Sequence, residues 1–198
     1  WVGRYEVGIG ANRTSDTERT TGTITANQYP YTYVTCSEAE SLAKGFATNG
    51  KTSSLLFGVQ WDLVLRYLES KGVAPADLNS NSTSWGNYND NTYSITGALA
   101  KYSTNDGSNW TATPYSKTAS GSTLLTTGAT STFSKNNIYD IAGNVWEWTM
   151  EYTSITYSPC TLRGGSYGNS GSFGPAWVRV ISVTSDSDGD VGFRVALY

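Results

Sequence analysis

The chain is 198 residues long, within the range of a single domain, and contains 7 Trp and 14 Tyr residues but only 15% charged residues. So many aromatic residues with so little charge exclude a disordered chain and predict one folded, loop-rich domain over residues 1–198. The formal net charge of −3 and the absence of a Lys/Arg cluster argue against nucleic-acid binding. The longest apolar run is interrupted by Gln60, Asp62 and Arg66, which argues against membrane insertion.

The N-terminal part of the chain predicts a strand and then a helix. Residues Val2–Ile9 alternate well enough for a strand, and the chain starts at Trp1 within this pattern, as a piece of a longer protein would. Ser37 and Glu40 have the spacing of a capping box, in which the hydroxyl accepts from a backbone N–H and the carboxylate reaches back. A helix is therefore expected over residues 38–48.

A second helix is predicted from about Phe57 to Ser70, with Gly72 at the usual stop position. Five apolar residues share one stripe of this helix and are expected to face the core. They are Val59, Leu63, Val64, Tyr67 and Leu68.

The segment 79–132 is rich in Ser, Thr, Asn, Gly and Trp and has no sustained periodicity, which predicts irregular structure. Ordering so long a segment is entropically costly, so buried Trp and Tyr side chains or a bound ion must hold it in place. Apolar patterns return after Ile138, where residues 145–148, 162–164 and 193–198 have the pattern of short strands in one twisted sheet.

Cys36 and Cys160 are the two cysteines of the chain and lie far apart in sequence. Two interpretations stay open: one disulfide in an exported protein, or two buried thiols. Two thiols in a chain without histidine make a poor metal site.

Three sequence blocks in the C-terminal third belong together. Residues 137–148 read Asn-Ile-Tyr-Asp-Ile-Ala-Gly-Asn-Val-Trp-Glu-Trp, residues 163–167 read Arg-Gly-Gly-Ser-Tyr, and residues 192–198 begin Gly-Phe-Arg-Val. In this order and spacing they resemble the formylglycine-generating-enzyme family of sulfatase-modifying factors. The resemblance implies an α+β, C-type-lectin-like fold with a short twisted antiparallel sheet, two helices and much irregular loop.

The first block is expected to contribute to the core and to hold an ion. Trp146 and Trp148 alternate along a strand, so both indoles point to its core side. The resemblance implies that the block binds a structural calcium ion through two carboxylates and two backbone carbonyls, which are the hard oxygen donors that calcium prefers. The alternative is that Glu147 is a buried acceptor of backbone hydrogen bonds. The four implied calcium ligands are Asp140, Gly143, Val145 and Glu147.

Arg163 and Arg194 lie beside Gly or Phe in strand-like segments. We expect both to be structural, with the guanidinium group bridging carbonyls or a carboxylate in the interior.

The residues that catalyse oxidation in the resembled family are missing from this chain. Its oxidases use a cysteine pair just after the Gly-Gly-Ser-Tyr sequence, where this chain has Asn169 and Gly174, and its iron-dependent relatives use histidines, of which this chain has none. Without histidine there is no Ser-His or Cys-His pair and no facial triad for iron. We expect no enzyme, no catalytic residue and no redox cofactor. A divergent oxidase or other family enzyme is the alternative.

Residues 168–191 are expected to be a variable segment. The chain also resembles the variable proteins of diversity-generating retroelements, in which the corresponding region is diversified at template adenines. Randomised Asn codons can then yield Asn, Asp, Ser, Gly, Val, Ile, Phe or Tyr, but not Lys, Glu, Gln, Met or Trp. Trp177 is the one residue of an excluded type in this segment.

A rigid framework that presents aromatic and acidic side chains from this segment favours ligand binding. The alternative is that the aliphatic residues of the segment form an ordinary buried strand. The candidate ligand-binding residues are Tyr167, Gly168, Asn169, Phe173, Trp177, Val178, Val180, Ile181, Val183, Asp186, Asp188 and Asp190.

The acidic run 186–190 within this segment does not fit an EF-hand loop. Its twelfth position counted from Asp186 is Leu197 rather than Glu, and Gly189 is out of register. A solvated acidic loop is therefore expected.

Together these features predict a non-catalytic display domain that binds a protein or cell-surface ligand, located outside the cell, on a cell surface or on a virion. A carbohydrate-binding module is a second alternative, given the many Trp and Tyr residues.

Overall fold

Three α-helices lie in the first half of the chain in the computed structural model, which describes residues 1–16 and 20–198. Helix α1 spans Cys36–Lys44, α2 spans Gly58–Ser70 and α3 spans Pro75–Asn79. One 3₁₀ turn follows at Ser131–Phe133. None of these helices is long and apolar enough to cross a membrane.

The strands of the described residues are two to four residues long. In chain order they are β1 (Gly8–Ile9), β2 (Tyr29–Pro30), β3 (Ser53–Leu55), β4 (Tyr93–Ile95), β5 (Lys101–Ser103), β6 (Thr111–Ala112), β7 (Tyr115–Lys117), β8 (Leu124–Leu125), β9 (Ser134–Lys135), β10 (Ile138–Tyr139), β11 (Trp146–Thr149), β12 (Cys160–Arg163), β13 (Arg179–Ser182), β14 (Val191–Phe193) and β15 (Val195–Leu197). Helices and small, mostly antiparallel sheets confirm the predicted α+β class.

The largest sheet has the strand order β13-β12-β11-β14. Strand β12 runs antiparallel to both β11 and β13, whereas β14 runs parallel to β11. The parallel pair departs from the predicted antiparallel sheet, because a long connection rather than a hairpin returns the chain to β11. The predicted strand 193–198 is two strands, since Arg194 separates β14 from β15, and β15 pairs with β3 instead.

Helix α1 begins and ends earlier than expected. Its N-cap is Thr35, whose backbone N–H donates to the Glu38 carboxylate at 3.0 Å, so the capping box lies two residues before the predicted pair. Glu40, assigned to the cap by its spacing from Ser37, instead forms an ion pair with Lys44 at 2.6 Å. Thr35 and Glu38 have the same spacing as Ser37 and Glu40, so both pairs fit the capping-box motif. The helix begins after Thr35 because the backbone there is extended, as an N-cap requires.

Helix α2 has the predicted bounds to within one residue, but the predicted core stripe is mostly wrong. Val59 and Leu63 are 66% and 62% exposed, and Tyr67 is also exposed. The face that packs inward carries Trp61, Leu65 and Leu68. The large Trp61 indole determines this orientation, with its N–H donating to the Ala176 carbonyl at 2.9 Å.

The first residues and the middle of the chain also differ from the predictions. Within Val2–Ile9 only β1 is a strand, although Val7 donates to the Phe193 carbonyl at 2.9 Å and so extends the sheet beyond β14. The segment 79–132 contains five short strands, β4 to β8. Trp85 and Tyr88 of this segment are buried, as the aromatic explanation for its order predicts.

Cys36 and Cys160 lie together in one buried cluster, as thiols. Burial, and then a hydrogen bond with the Cys160 thiol, raises the pKa of Cys36. The fold therefore brings the two thiols within hydrogen-bond reach, which a disulfide would require and which two buried thiols also allow.

Candidate functional site

A buried ion pair connects the first and third sequence blocks. The Arg194 guanidinium donates to both Glu147 carboxylate oxygens at 2.6–3.1 Å, and both side chains are buried. Arg194 also donates to the carbonyls of Gly3 and Tyr139 at 3.0 and 2.8 Å. The predicted structural role of this arginine is confirmed, and Glu147 is indeed a buried acceptor, although from a side chain rather than from the backbone.

The surroundings of this ion pair fit a cation. Asp140, Glu6 and Glu147 bring three buried carboxyl groups against the single Arg194, and one Glu6 oxygen has no hydrogen-bond partner within the described residues. Burial raises the pKa of Asp140 to about 7, despite a backbone hydrogen bond from Gly128 at 2.6 Å. Carboxyl oxygens are the donors that calcium prefers, and a bound cation would favour the charged form of these buried groups.

Side chains alone do not make a metal site here. Within residues 1–16 and 20–198, no group of three or more Cys, Asp or Glu side chains is arranged to hold a metal ion. Calcium at this position would need the Gly143 and Val145 carbonyls as well as the carboxylates of Asp140 and Glu147, and it stays a prediction.

The second arginine fixes the start of the outer strand. Arg163 is buried, donates to the carbonyls of Trp177 and Val178, and contacts the Asp62 carboxylate. Its predicted structural role is confirmed. The contact to Asp62 on α2 joins the sheet to the helix.

The two positions that would carry the family's cysteines have structural roles in this chain. The Asn169 amide oxygen accepts from the backbone N–H of Ser166 at 3.0 Å and lies 3.1 Å from the Ser166 hydroxyl oxygen. The Gly174 carbonyl accepts from the Tyr88 hydroxyl at 2.7 Å. A side chain on Gly165 would place its Cβ 2.3 Å from that carbonyl oxygen, so the close approach requires glycine there.

The segment 168–191 alternates between buried anchors and exposed side chains. Gly174, Pro175 and Ala176 are buried, whereas the flanking Phe173 and Trp177 are 68% and 50% exposed. The Trp177 backbone N–H donates to the Leu78 carbonyl at 3.0 Å, which ties the segment to α3. Strand β13 continues the segment at the edge of the four-stranded sheet.

A groove of about 280 Å³ lies beside β13, and we call it the acidic groove. Three Asp side chains line it together with aromatic and aliphatic side chains. Its lining residues are Trp146, Leu162, Asn169, Phe173, Val180, Ile181, Ser182, Asp186, Asp188, Asp190 and Val191.

Negative charge is concentrated in the acidic groove. Burial, and then the charges of Asp188 and Asp186, raises the pKa of Asp190, although a hydrogen bond from Ser166 at 2.8 Å opposes the shift. Arg179, the first residue of β13, is not among the lining residues and pairs with Glu151 at 2.5 Å. The groove therefore combines an apolar surface with carboxylates that have no cationic partner within the described residues.

A larger groove of about 550 Å³ lies on the other side of the segment, between α2 and α3. Trp177 lines it, with Leu65, Leu78 and Pro75 as apolar neighbours and Asp62, Arg66, Glu69 and Asn79 as polar ones. Phe173 and Trp177 thus belong to two different grooves.

Most of the predicted ligand-binding residues come together, with one clear correction. Seven of them line the acidic groove and Trp177 lines the helix groove, while Gly168 and Val183 are exposed outside both and Val178 is half-buried against the core. Tyr167, predicted to contact ligand, is only 4% exposed, because its ring packs inward and its hydroxyl donates to Asp106 at 3.0 Å.

Sequence reasoning missed the floor of the acidic groove. The sequence predicts Trp146 in the core, Leu162 in a short strand and Val191 at the end of the variable segment; all three are buried in the core and also line the groove. The register of β12 against β13, which places Leu162 opposite Val180, is the signal that connects them, and sequence alone does not show it.

Residues 5–198 match the family described as the sulfatase-modifying factor enzyme 1-like domain. The chain matches no curated protein.

The solved structures that are similar to the chain include the following three. PvdO from Pseudomonas aeruginosa has 18% identity and a TM-score of 0.54, over 99% of this chain and 79% of that one. CarF has 16% identity and a TM-score of 0.52, over 83% and 65%. Treponema denticola variable protein 1 has 19% identity and a TM-score of 0.43, over 75% and 49%, so the chain spans about half the length of that protein. At these identities, the likeness to PvdO and CarF shows a common fold alone.

Proposed function

The chain belongs to the sulfatase-modifying factor enzyme 1-like family, and we propose that within it the chain is a non-catalytic domain that binds a ligand through segment 168–191. The ligand in this proposal is a protein or a cell-surface molecule, met outside the cell, on a cell surface or on a virion. A structural calcium ion near Asp140 would help to hold the framework.

One observation carries the proposal: large apolar side chains are exposed to solvent on a backbone that hydrogen bonds hold in place. Phe173, Trp177, Ile181 and Val183 are each at least 42% exposed, within eleven residues of chain. Hydrogen bonds at Gly174 and Trp177 fix the backbone that presents them. A pre-ordered surface loses little conformational entropy on binding, which favours affinity.

The positions expected to catalyse oxidation support a non-catalytic role. Asn169 and Gly174 replace the cysteine pair that the family resemblance implies, and both are engaged in hydrogen bonds that hold the segment. The sequence contains no histidine. Residues that would form an oxidase site therefore serve as supports for the surface.

The residue types in the acidic groove support diversification of this segment. Every groove residue between positions 168 and 191 is Asn, Phe, Val, Ile, Ser or Asp. All six types are among those that randomised Asn codons yield. The residues that contribute to the groove from outside the segment, Trp146 and Leu162, lie on the framework strands β11 and β12.

The proposal is tested by binding of the purified, labelled protein to a panel of intact bacterial cells. The triple variant Phe173→Ala, Trp177→Ala, Asp188→Ala is expected to lose binding while its melting temperature stays close to that of the wild type. The matched control Val59→Ala, Leu63→Ala, Glu40→Gln removes comparable surface from the helices and is expected to bind normally. Normal binding by the triple variant would overturn the proposal, as would oxygen consumption by the wild-type protein with thiol substrates.

A further inference from the structure

The acidic groove has an uneven distribution of charge. Asp186, Asp188 and Asp190 line it together with apolar side chains, among them Phe173 and Ile181. No Lys or Arg is among the groove's lining residues.

Neutral donors hold the three carboxylates in place. Asp186 accepts from the Ser182 hydroxyl at 2.5 Å, Asp188 from the Gly189 N–H at 2.7 Å, and Asp190 from the Ser166 hydroxyl at 2.8 Å. These hydrogen bonds orient the side chains without neutralising them. None of the ion pairs among the described residues includes one of these three Asp side chains.

The shape and arrangement of the groove argue against a bare metal ion. Its volume of about 280 Å³ far exceeds one ion and lies just below the roughly 300–1,000 Å³ typical of small-molecule pockets. The three Asp residues are also not arranged as a metal-holding group within the described chain. An occupant with both an apolar stem and a positive head fits the lining better.

Resting on the proposed function, we propose that the acidic groove binds the side chain of a Lys or Arg residue presented by a polypeptide ligand. The aliphatic stem of such a residue packs along Val180, Ile181 and Phe173, and its charged head lies among the Asp carboxylates. Aromatic rings attract cations through their faces, so Phe173 and Trp146 add to the attraction. Paired charges of this kind favour specificity and rapid association.

Nα-acetyl-lysine N-methylamide and its arginine counterpart are the probes that test this proposal, with the norleucine analogue as the uncharged match. Titrated to about 20 mM against ¹⁵N-labelled protein at low salt, the charged probes are expected to shift the amide signals of Ser182, Gly189 and Val191 with millimolar affinity. The norleucine probe is expected to leave them in place. About 0.5 M salt should weaken the charged probes several-fold, because exposed charges are screened.

Two variants assign the effect to the groove. Asp188→Asn is expected to weaken the lysine probe about fivefold or more, because it removes a charge facing the head group. Glu40→Gln removes a charge on α1, outside the groove, and is expected to change nothing. Matching unfolding midpoints establish that both variants are folded, and the salt dependence provides a second readout that needs no variant.

Several outcomes would overturn the proposal. They are equal shifts from the norleucine probe, unchanged affinity in Asp188→Asn, the absence of any shift with the charged probes, and shifts produced by calcium ions but not by lysine. The proposed function fails separately: if the lysine probe does not bind while the Phe173, Trp177 and Asp188 triple variant still loses cell binding, only the ligand class is wrong.

Discussion

The Ser166 hydroxyl donates to the Asp190 carboxylate at 2.8 Å, and this contact joins the Gly-Gly-Ser-Tyr block to the wall of the acidic groove. Ser166 is buried, and its backbone N–H donates to the Asn169 amide oxygen at 3.0 Å. The same framework residue thus orients two groove residues, one three positions and the other 24 positions after it in sequence. Support from buried residues keeps an exposed recognition surface in one conformation.

Replacing this support is expected to alter Asp190 directly. In Ser166→Ala the carboxylate loses a donor that lowers its pKa, so the Asp190 pKa should rise further above its ordinary value. The stability loss should be about 1–3 kcal/mol, because the bond is to a charged acceptor. Carbon-13 NMR titration of the Asp190 carboxyl and chemical unfolding measure the two effects. Ser41→Ala on the surface of α1 is the control, and an unchanged Asp190 pKa in Ser166→Ala would contradict the assigned role.

The Arg194–Glu147 pair is expected to stabilise the fold only as a pair. Arg194→Met leaves a buried carboxylate without its cation and should cost about 3–5 kcal/mol. The double variant Arg194→Met, Glu147→Met removes both charges and should recover part of that loss. Urea unfolding of the wild type, both single variants and the double variant measures the coupling. Strictly additive losses would show that the two side chains do not depend on each other.

Calcium removal is expected to lower the melting temperature. A ligand that binds only the folded state stabilises it by about 2.7 kcal/mol at a hundredfold excess over its dissociation constant. Chelation by EGTA should therefore destabilise the wild type, and Asp140→Ala should abolish this sensitivity. Asp188→Ala, in the acidic groove, should retain it. A wild-type melting temperature that is indifferent to EGTA and to added calcium would rule out the structural ion.

The lowered pKa of Lys117 predicts that the contribution of this residue to stability rises with pH. Burial lowers the pKa of Lys117 to about 8 from 10.5, while its ammonium group donates to the Tyr88 and Asn89 carbonyls. Between these two pKa values the unfolded chain binds more protons than the folded one, so the contribution of this residue to stability increases as pH rises through that window. The difference in unfolding free energy between wild type and Lys117→Met, measured from pH 7 to pH 10, should shift in favour of the wild type with rising pH. A difference that is constant with pH would contradict the lowered pKa.

The sequence predicts the framework better than the orientation of its parts. The three blocks predicted the family, and the Arg163 and Arg194 side chains do bridge interior carbonyls and carboxylates. For α2, in contrast, an aliphatic stripe at helical spacing pointed to the wrong face, because burial of the large Trp61 ring outweighs that of Val59 and Leu63. Local periodicity cannot rank two competing stripes when the partner surface is unknown.

The site shows the same division between local signals and tertiary contacts. Exposure of Phe173 and Trp177 follows from their place in a polar, turn-rich segment, but burial of Tyr167 depends on Asp106, 61 residues away. The sequence does not single out Asn144, although its side chain links Glu6, Asn87 and Leu125 in the interior. Its backbone has a φ of 63°. Only its place between Gly143 and Val145, in a turn, gave a hint.

The most direct measurement of the central claim is a scan of single substitutions scored separately for folding and for ligand binding. Substitutions at Phe173, Ile181 and Asp188 are expected to reduce binding and leave folding intact, whereas substitutions at Gly165 and Arg194 are expected to destabilise the fold. Binding losses that occur only where folding is lost, or that cluster outside segment 168–191 on folded variants, would contradict it.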